Sequence, residues 1–124
     1  MGVIPPRVHR IIDFVMVAVF AAAPFLFVEL EGPTRIMSFV LAALILVLAL
    51  MTAAPGEARP ISMKMHRMLD IGLGAALVAL PLIRNWTHDT RPYYLATGAA
   101  ILIVAALTND REVVVTTTTG RAAV

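Results

Sequence analysis

The chain has 124 residues, of which 60% are hydrophobic and 15% charged, and its formal net charge is +2. This composition leaves too little polar surface to cover a soluble domain, so it predicts an integral membrane protein and argues against a soluble enzyme. We expect the lipid bilayer as the main partner, and no nucleic acid. Cysteine is absent, which excludes disulfide and thiolate chemistry.

Hydrophobic segments and breaker residues predict the order of the elements. Pro33 and Pro92 each stand where a helix would begin, a position that tolerates the missing N–H of proline. We therefore expect an all-α integral membrane fold, a single domain over 1–124. Its four transmembrane helices are predicted near 9–30, 34–54, 64–84 and 92–108.

An internal repeat is the most specific pattern in the chain. His9-Arg10-Ile11-Ile12-Asp13 returns 57 residues later as His66-Arg67-Met68-Leu69-Asp70, and Pro24 matches Pro81 at the same offset. Without gaps, 11 of 44 positions are identical. This predicts two tandem helix-pair repeats, 9–54 and 66–109, followed by a tail over 110–124.

The distribution of basic residues predicts the orientation in the membrane. Seven of the ten Lys and Arg residues lie in the N-terminal segment, the 55–67 loop and the tail, against three in the other two loops. The positive-inside rule then places both termini in the cytoplasm. We expect a bacterial inner (plasma) membrane location, with the two repeats related by an axis along the membrane normal.

The repeated motif supplies the candidate site residues, which are His9, Arg10, Asp13, His66, Arg67 and Asp70. The histidine and aspartate of each motif are i,i+4 neighbours, so each motif forms one polar face of a helix. Only 13 uncharged residues separate Asp70 from Arg84, which places the aspartate at or inside the cytoplasmic edge of the hydrocarbon. Ionisable residues at that depth are candidates for a functional site.

Three interpretations of this cluster remain open. Crossed pairs, Arg10 with Asp70 and Arg67 with Asp13, would lock the first helix to the third, with the histidines as interfacial caps. Two histidines and two aspartates would instead suit zinc or another divalent ion. In the third interpretation, the arginines and Lys64 bind a lipid phosphate or an anionic cofactor.

The rest of the chain offers weaker signals. Pro24 and Pro81 would each free a backbone carbonyl four residues earlier. His88 and Asp89 are expected to have solvated roles in a short outer loop. The valine- and threonine-rich tail has strand propensity, so it is either disordered or pairs with another protein.

Two tandem helix pairs, each with a proline near the outer end of its first helix, give the chain a resemblance to the small bacterial SPW-repeat membrane proteins. The resemblance spans about residues 9–108, with Ala23-Pro24-Phe25 and Leu80-Pro81-Leu82 at the positions of the Ser-Pro-Trp signature. It implies a fold and no particular chemistry.

We therefore expect a non-catalytic accessory or scaffold subunit whose His/Arg/Asp cluster binds a lipid headgroup or a partner protein. The cofactor is left open, and a homo-oligomer or a larger membrane complex is expected. The alternative is a metal- or haem-binding redox subunit that uses His9 and His66.

Overall fold

The computed structural model describes residues 2–27, 30, 32–54, 56–86 and 89–109. These form four α-helices, and among the described residues no strand occurs, only two isolated bridges. Each helix is long and apolar enough to cross a membrane, so the prediction of an all-helical fold with four such segments is confirmed. The helices are α1 (Pro6–Leu26), α2 (Gly32–Met51), α3 (Met63–Ile83) and α4 (Thr90–Leu107).

The helix starts follow from local sequence chemistry. α1 begins with proline at its first position, where the absent N–H has no intrahelical partner to lose. α3 begins after Ser62, whose hydroxyl accepts a hydrogen bond of 3.2 Å from the Met65 N–H. Gly32 opens α2 with a φ of +53°, which a side chain rarely adopts. The helix positions therefore agree with the sequence pattern to within a few residues.

The bundle consists of two hairpins. α1 packs chiefly along α2, and α3 packs chiefly along α4. The second hairpin is especially close at Gly74 and Gly98, because a Cβ on either residue would lie 3.0 Å from the carbonyl oxygen of the other. Small residues allow such close backbone approach. At Gly72, in contrast, a Cβ would have no neighbouring atom within 4 Å among the described residues.

Short backbone pairings hold the helix ends together at the end of the bundle where α1 and α3 begin. The Ile4 N–H donates to the Leu107 carbonyl at 2.9 Å, which joins the segment before α1 to the end of α4. The Ile61 N–H donates to the Met51 carbonyl at 3.2 Å, which joins the end of α2 to the start of α3. Thr108 and Thr52, which follow α4 and α2, are therefore fixed beside the first turns of α1 and α3.

The interior has an apolar half and a polar half. Phe20, Leu77, Tyr93 and Tyr94 are buried in the aromatic-rich half, which lies toward the starts of α2 and α4 and away from the starts of α1 and α3. The outer surface is strongly apolar, and side chains such as Ile83 at 80% are largely exposed. Polar groups inside and large apolar groups outside are the reverse of a soluble domain.

The buried prolines lie within α1 and α3, as predicted. Pro24 cannot donate to the Phe20 carbonyl, and that oxygen instead accepts a hydrogen bond of 2.6 Å from the Ser38 hydroxyl of α2. Ser38 Oγ lies 2.8 Å from the Tyr93 hydroxyl, which is placed to donate to it. The carbonyl group that lacks an intrahelical donor because of the proline therefore takes part in a hydrogen-bond chain that connects α1, α2 and α4.

Candidate functional site

Both copies of the repeated motif meet in the polar half of the bundle. His9, Asp13, His66 and Asp70 are all buried, with exposed fractions of 0%, 7%, 1% and 6%. One ligand atom from each lies within 4.8 Å of all the others. The i,i+4 spacing places each histidine over its aspartate on one helix face, and the faces of α1 and α3 point at each other. The predicted meeting of the two motifs is what the structure contains.

The four closest contacts in this cluster join an imidazole Nε2 to a carboxylate oxygen. His9 Nε2 lies 3.0 Å from Asp70 Oδ2 and 3.3 Å from Asp13 Oδ1. His66 Nε2 lies 3.2 Å from Asp70 Oδ2 and 3.3 Å from Asp13 Oδ2. Each aspartate therefore contacts both histidines, one on its own helix and one across the bundle.

Two threonines orient the histidines from behind. His9 Nδ1 lies 2.5 Å from Thr108 Oγ1, and His66 Nδ1 lies 2.6 Å from Thr52 Oγ1. Each threonine hydroxyl also donates at 2.6 Å to a carbonyl of its own chain segment, at Val104 and Leu48 respectively. With its only proton used there, the hydroxyl accepts from Nδ1–H, so Nδ1 carries a proton in both rings.

The proton on Nδ1 restricts the protonation and the possible partners of Nε2. A neutral imidazole with its proton on Nδ1 presents a lone pair at Nε2, and here that lone pair would face carboxylates, which are also acceptors. The arrangement is stable only if Nε2 carries a proton or if a cation lies between the groups. The sequence does not single out the two threonines, although each is the hydroxyl residue at the end of an otherwise apolar stretch.

The contacts of His66 Nε2 bear on the choice between a proton on this nitrogen and a cation in the cluster. Its Nε2 is buried and, within the described part of the chain, has no hydrogen-bond partner, because its contacts with Asp70 and Asp13 lack hydrogen-bond alignment. His9 Nε2, in contrast, is aligned with Asp70. A buried polar atom without a partner costs roughly 1–3 kcal/mol, so such an atom calls for an explanation such as an ion.

The arginines of the motifs have other partners. Arg10 Nη2 donates to the Thr52 carbonyl at 2.5 Å and to Glu57 Oε2 at 3.3 Å. Arg67 Nε donates to the Ala105 carbonyl at 2.6 Å. The predicted pair of Arg10 with Asp70 is wrong, because histidines occupy the carboxylates while the C-terminal carbonyls of α2 attract the guanidinium. Arg10 and Arg67 therefore surround the cluster without contributing ligand atoms to it.

Glu57 joins Arg10 of α1 to Arg59 of the 52–62 loop. Its Oε2 accepts from the Ala54 N–H at 3.2 Å and pairs with Arg59 at 3.0 Å, in addition to Arg10. The Ala54 N–H, followed by the Arg10 guanidinium, holds the pKa of Glu57 below its usual 4.5. Arg59 also donates to the Leu50 carbonyl. Because these two arginines are engaged by Glu57 and by helix carbonyls, the structure gives little support to a phosphate site built on them.

Equivalent contacts in the two hairpins have two different spacings. The histidines and the aspartates are 57 positions apart, whereas Thr52 and Thr108 are 56 apart. The ungapped offset would match Thr52 with Asn109 instead. At the ends of α2 and α4 the structural alignment therefore differs by one residue from the ungapped sequence alignment. The second hairpin has one residue fewer between its histidine and its threonine.

The haem alternative does not fit the positions of the histidines. The His9 and His66 ring centroids are 5.1 Å apart at an interplanar angle of 90°, and the two aspartates occupy the space beside both Nε2 atoms. A macrocycle between the rings would displace both carboxylates. A bare ion is the ligand class that this spacing admits.

A small cavity of about 50 Å³ adjoins the carboxylates. Asp13 and Asp70 supply its polar wall, and the remaining lining is apolar: Ile12, Met16, Ile45, Ala100, Ile101 and Val104. His88 and the tail over 110–124 lie outside the described residues. Asp89 occupies the position before α4 and makes no side-chain capping bond there.

Comparison of the chain with protein-family models, curated proteins and solved structures gives no match. The resemblance to SPW-repeat proteins therefore stays an expectation, and the function is inferred from the geometry of the site.

Proposed function

We propose that this protein is an integral membrane protein that binds one divalent transition-metal ion, of the zinc type, between His9, Asp13, His66 and Asp70. The observation that carries the proposal is the buried His66 Nε2, which faces two carboxylates without a hydrogen-bond partner among the residues that the structure describes. An ion at the centre of the cluster would give this lone pair, and that of His9, a bonding partner.

The distances support a tetrahedral ion. Ligands about 2.0–2.2 Å from a tetrahedral zinc lie roughly 3.3 Å or slightly more from one another. The four Nε2–oxygen contacts measure 3.0–3.3 Å, so a small adjustment of the side chains would open the cluster to that size. The threonine hydroxyls behind the rings accept from Nδ1–H, the role that a carboxylate, a backbone carbonyl or water usually has behind a metal-bound histidine.

The choice of ion follows from charge and ligand type. Two carboxylates balance a divalent cation, which leaves a neutral complex, the least costly kind inside a membrane. Two imidazole nitrogens favour zinc and neighbouring transition metals, whereas magnesium and calcium favour oxygen ligands alone. Four protein ligands are typical of a structural site.

The proposed role is accessory and non-catalytic. The ion would join α1 of the first hairpin to α3 of the second, a contact that the hairpins otherwise make sparsely. We infer that the two hairpins derive from a tandem duplication with one residue lost in the second copy. Their apolar outer faces support insertion in a membrane, with a homo-oligomer or larger complex covering part of that surface.

The competing arrangement has both histidines protonated, forming a metal-free set of ion pairs with the aspartates. Metal analysis of protein purified in mild detergent separates the two. We expect one equivalent of zinc per chain after loading and buffer exchange, and loss of that zinc in His66→Ala. Glu57→Gln is the matched control, since it removes an exposed charge outside the cluster. Substoichiometric metal in the intact protein would favour the protonated arrangement.

A further inference from the structure

Thr52 is the residue at which the His/Asp cluster meets the loop between the two hairpins. It is buried, and its hydroxyl accepts from the Nδ1–H of His66 at 2.6 Å. Its backbone carbonyl accepts from Arg10 Nη2 at 2.5 Å. Thr52 is therefore bonded on one side by α3 of the second hairpin and on the other side by α1 of the first hairpin.

The 52–62 loop leads from this buried threonine to the exposed surface. Residues 56–60 are exposed. The guanidinium of Arg10, which bonds the Thr52 carbonyl, also donates to Glu57 Oε2 at 3.3 Å, and Glu57 pairs with Arg59 at 3.0 Å. A continuous set of polar contacts thus connects the buried cluster with exposed charged groups of the loop.

An ion in the cluster would set the distance between the two groups that hold Thr52. Arg10 directly follows the ligand His9 on α1, and the ligand His66 lies on α3. An ion bonded to both histidines fixes the separation of α1 and α3 at this level. Both bonds to Thr52 form only at a matching separation, because one comes from each helix. Contacts between the hairpins are otherwise sparse, so the ion has a large share in keeping this separation.

We propose that this protein reports the occupancy of its metal site on the 52–62 loop and so acts as a metal sensor. The inference rests on the proposed metal site and adds a regulatory output to it. The ion keeps the loop closed, with Glu57 between Arg10 and Arg59, and loss of the ion opens the loop and separates these charges. Because coupling between two sites is reciprocal, closing the loop also raises the affinity for the ion.

Thr108 provides a matched comparison for Thr52. Its hydroxyl accepts from the Nδ1–H of His9, as that of Thr52 accepts from His66. The backbone on either side of Thr108 is bonded to Ile4, at 2.9 Å in each case. Replacing Thr108 therefore removes the outer partner of one metal ligand without removing a hydrogen bond of the 52–62 loop.

Hydrogen exchange of the full chain in mild detergent, measured with zinc and with a chelator, tests the inference. The amides of Ala53, Glu57 and Ile61 donate to backbone carbonyls in or beside the loop, so their exchange reports loop opening. We expect zinc to slow this exchange by about 5–150-fold, the usual range for coupling between two sites. Exchange at residues 84–86, at the other end of the bundle, should not change.

Two variants break the connection at different bonds. At zinc concentrations that saturate each protein, Thr52→Val should lose the zinc-dependent protection of the loop, whereas Thr108→Val should keep it. Arg10→Gln removes the other bond to Thr52 and should also lose the protection. Because the coupling is reciprocal, Arg10→Gln should in addition weaken zinc binding, although Arg10 supplies no ligand atom.

The outcomes separate this inference from the metal site itself. Absence of bound zinc in the intact protein would overturn the proposed function and this inference together. Bound zinc with unchanged exchange in the loop would leave the metal site standing and overturn the sensor role. Equal loss of protection in Thr52→Val and Thr108→Val would also overturn it, since the effect would not pass through Thr52.

Discussion

His66 Nε2 lies 3.2 Å from Asp70 Oδ2 on the next turn of the same helix, and this buried nitrogen has no hydrogen-bond partner among the described residues. Its other ring nitrogen is held by Thr52. The ring is therefore fixed in position by one bond while the atom that faces the carboxylates is left available.

Zinc should stabilise the intact protein and not Asp70→Asn. Binding to the folded state alone adds about 2.7 kcal/mol when free zinc is 100-fold above its dissociation constant. The substitution removes one anionic ligand and leaves an uncompensated charge on the complex. Thermal unfolding in detergent, with and without zinc, measures the difference. An equal zinc-induced rise in Tm for both proteins would place the ion elsewhere.

The threonines should tune metal affinity without binding the ion. Thr52→Val or Thr108→Val removes the acceptor of an Nδ1–H, and loss of such an outer partner typically lowers metal affinity about 10–100-fold. Competition with a chromophoric zinc chelator measures the change. Thr97→Val is the control, because the Thr97 hydroxyl bonds carbonyls of its own helix and lies away from the histidines. Unchanged affinity in both threonine variants would mean that the rings do not need these bonds.

Glu57 should titrate below its usual pKa of 4.5, because the Ala54 N–H and the Arg10 guanidinium favour the ionised carboxylate. A depressed pKa in the folded state stabilises the fold above the unfolded pKa, and this contribution disappears as the pH falls through the folded value. Arg10→Gln should raise the pKa of Glu57 toward 4.5, as followed by ¹³C NMR of the carboxyl group. A pKa unaffected by this substitution would indicate that the Arg10 contact is not populated.

Ser38→Ala should destabilise the bundle by about 1–3 kcal/mol, because it leaves the Phe20 carbonyl without the hydrogen bond that it receives from α2. In a Pro24→Ala background the loss should be smaller, since residue 24 can then donate to the same carbonyl within α1. Chemical unfolding of the four proteins of this cycle measures the coupling. Additive effects would show that proline and serine act independently.

Both termini should face the cytoplasm. The end of the bundle where α1 and α3 begin carries Arg7, Arg10, Arg59, Lys64 and Arg67, whereas Arg35, Arg84 and Arg91 belong to the other end. Reporter fusions at Gly32 and Asp89 are expected outside and one at Gly56 inside. If the reporter at Gly56 were external, the orientation would be the reverse of the predicted one. The His/Asp cluster would then lie on the side of the outer leaflet.

The sequence alone determined the helices and the partnership of the two motifs. Apolar segment length and breaker residues specify where four helices run, since a span of this length needs about 20 residues. A histidine four residues before an aspartate necessarily shares its helix face. The repeat then indicated that His9 and Asp13 would meet His66 and Asp70, because a buried carboxylate requires a polar partner.

Only the tertiary structure decided which groups contact the carboxylates. Arg10 is as close to Asp13 along the helix as His9 is, but its side chain is longer, and the guanidinium donates to the Thr52 carbonyl after α2 and to Glu57. Thr52 and Thr108 could not be assigned from sequence, because their roles depend on where the ends of α2 and α4 stop beside other helices. Their spacing of 56 residues is present in the sequence, but only the packing shows that these two threonines are equivalent.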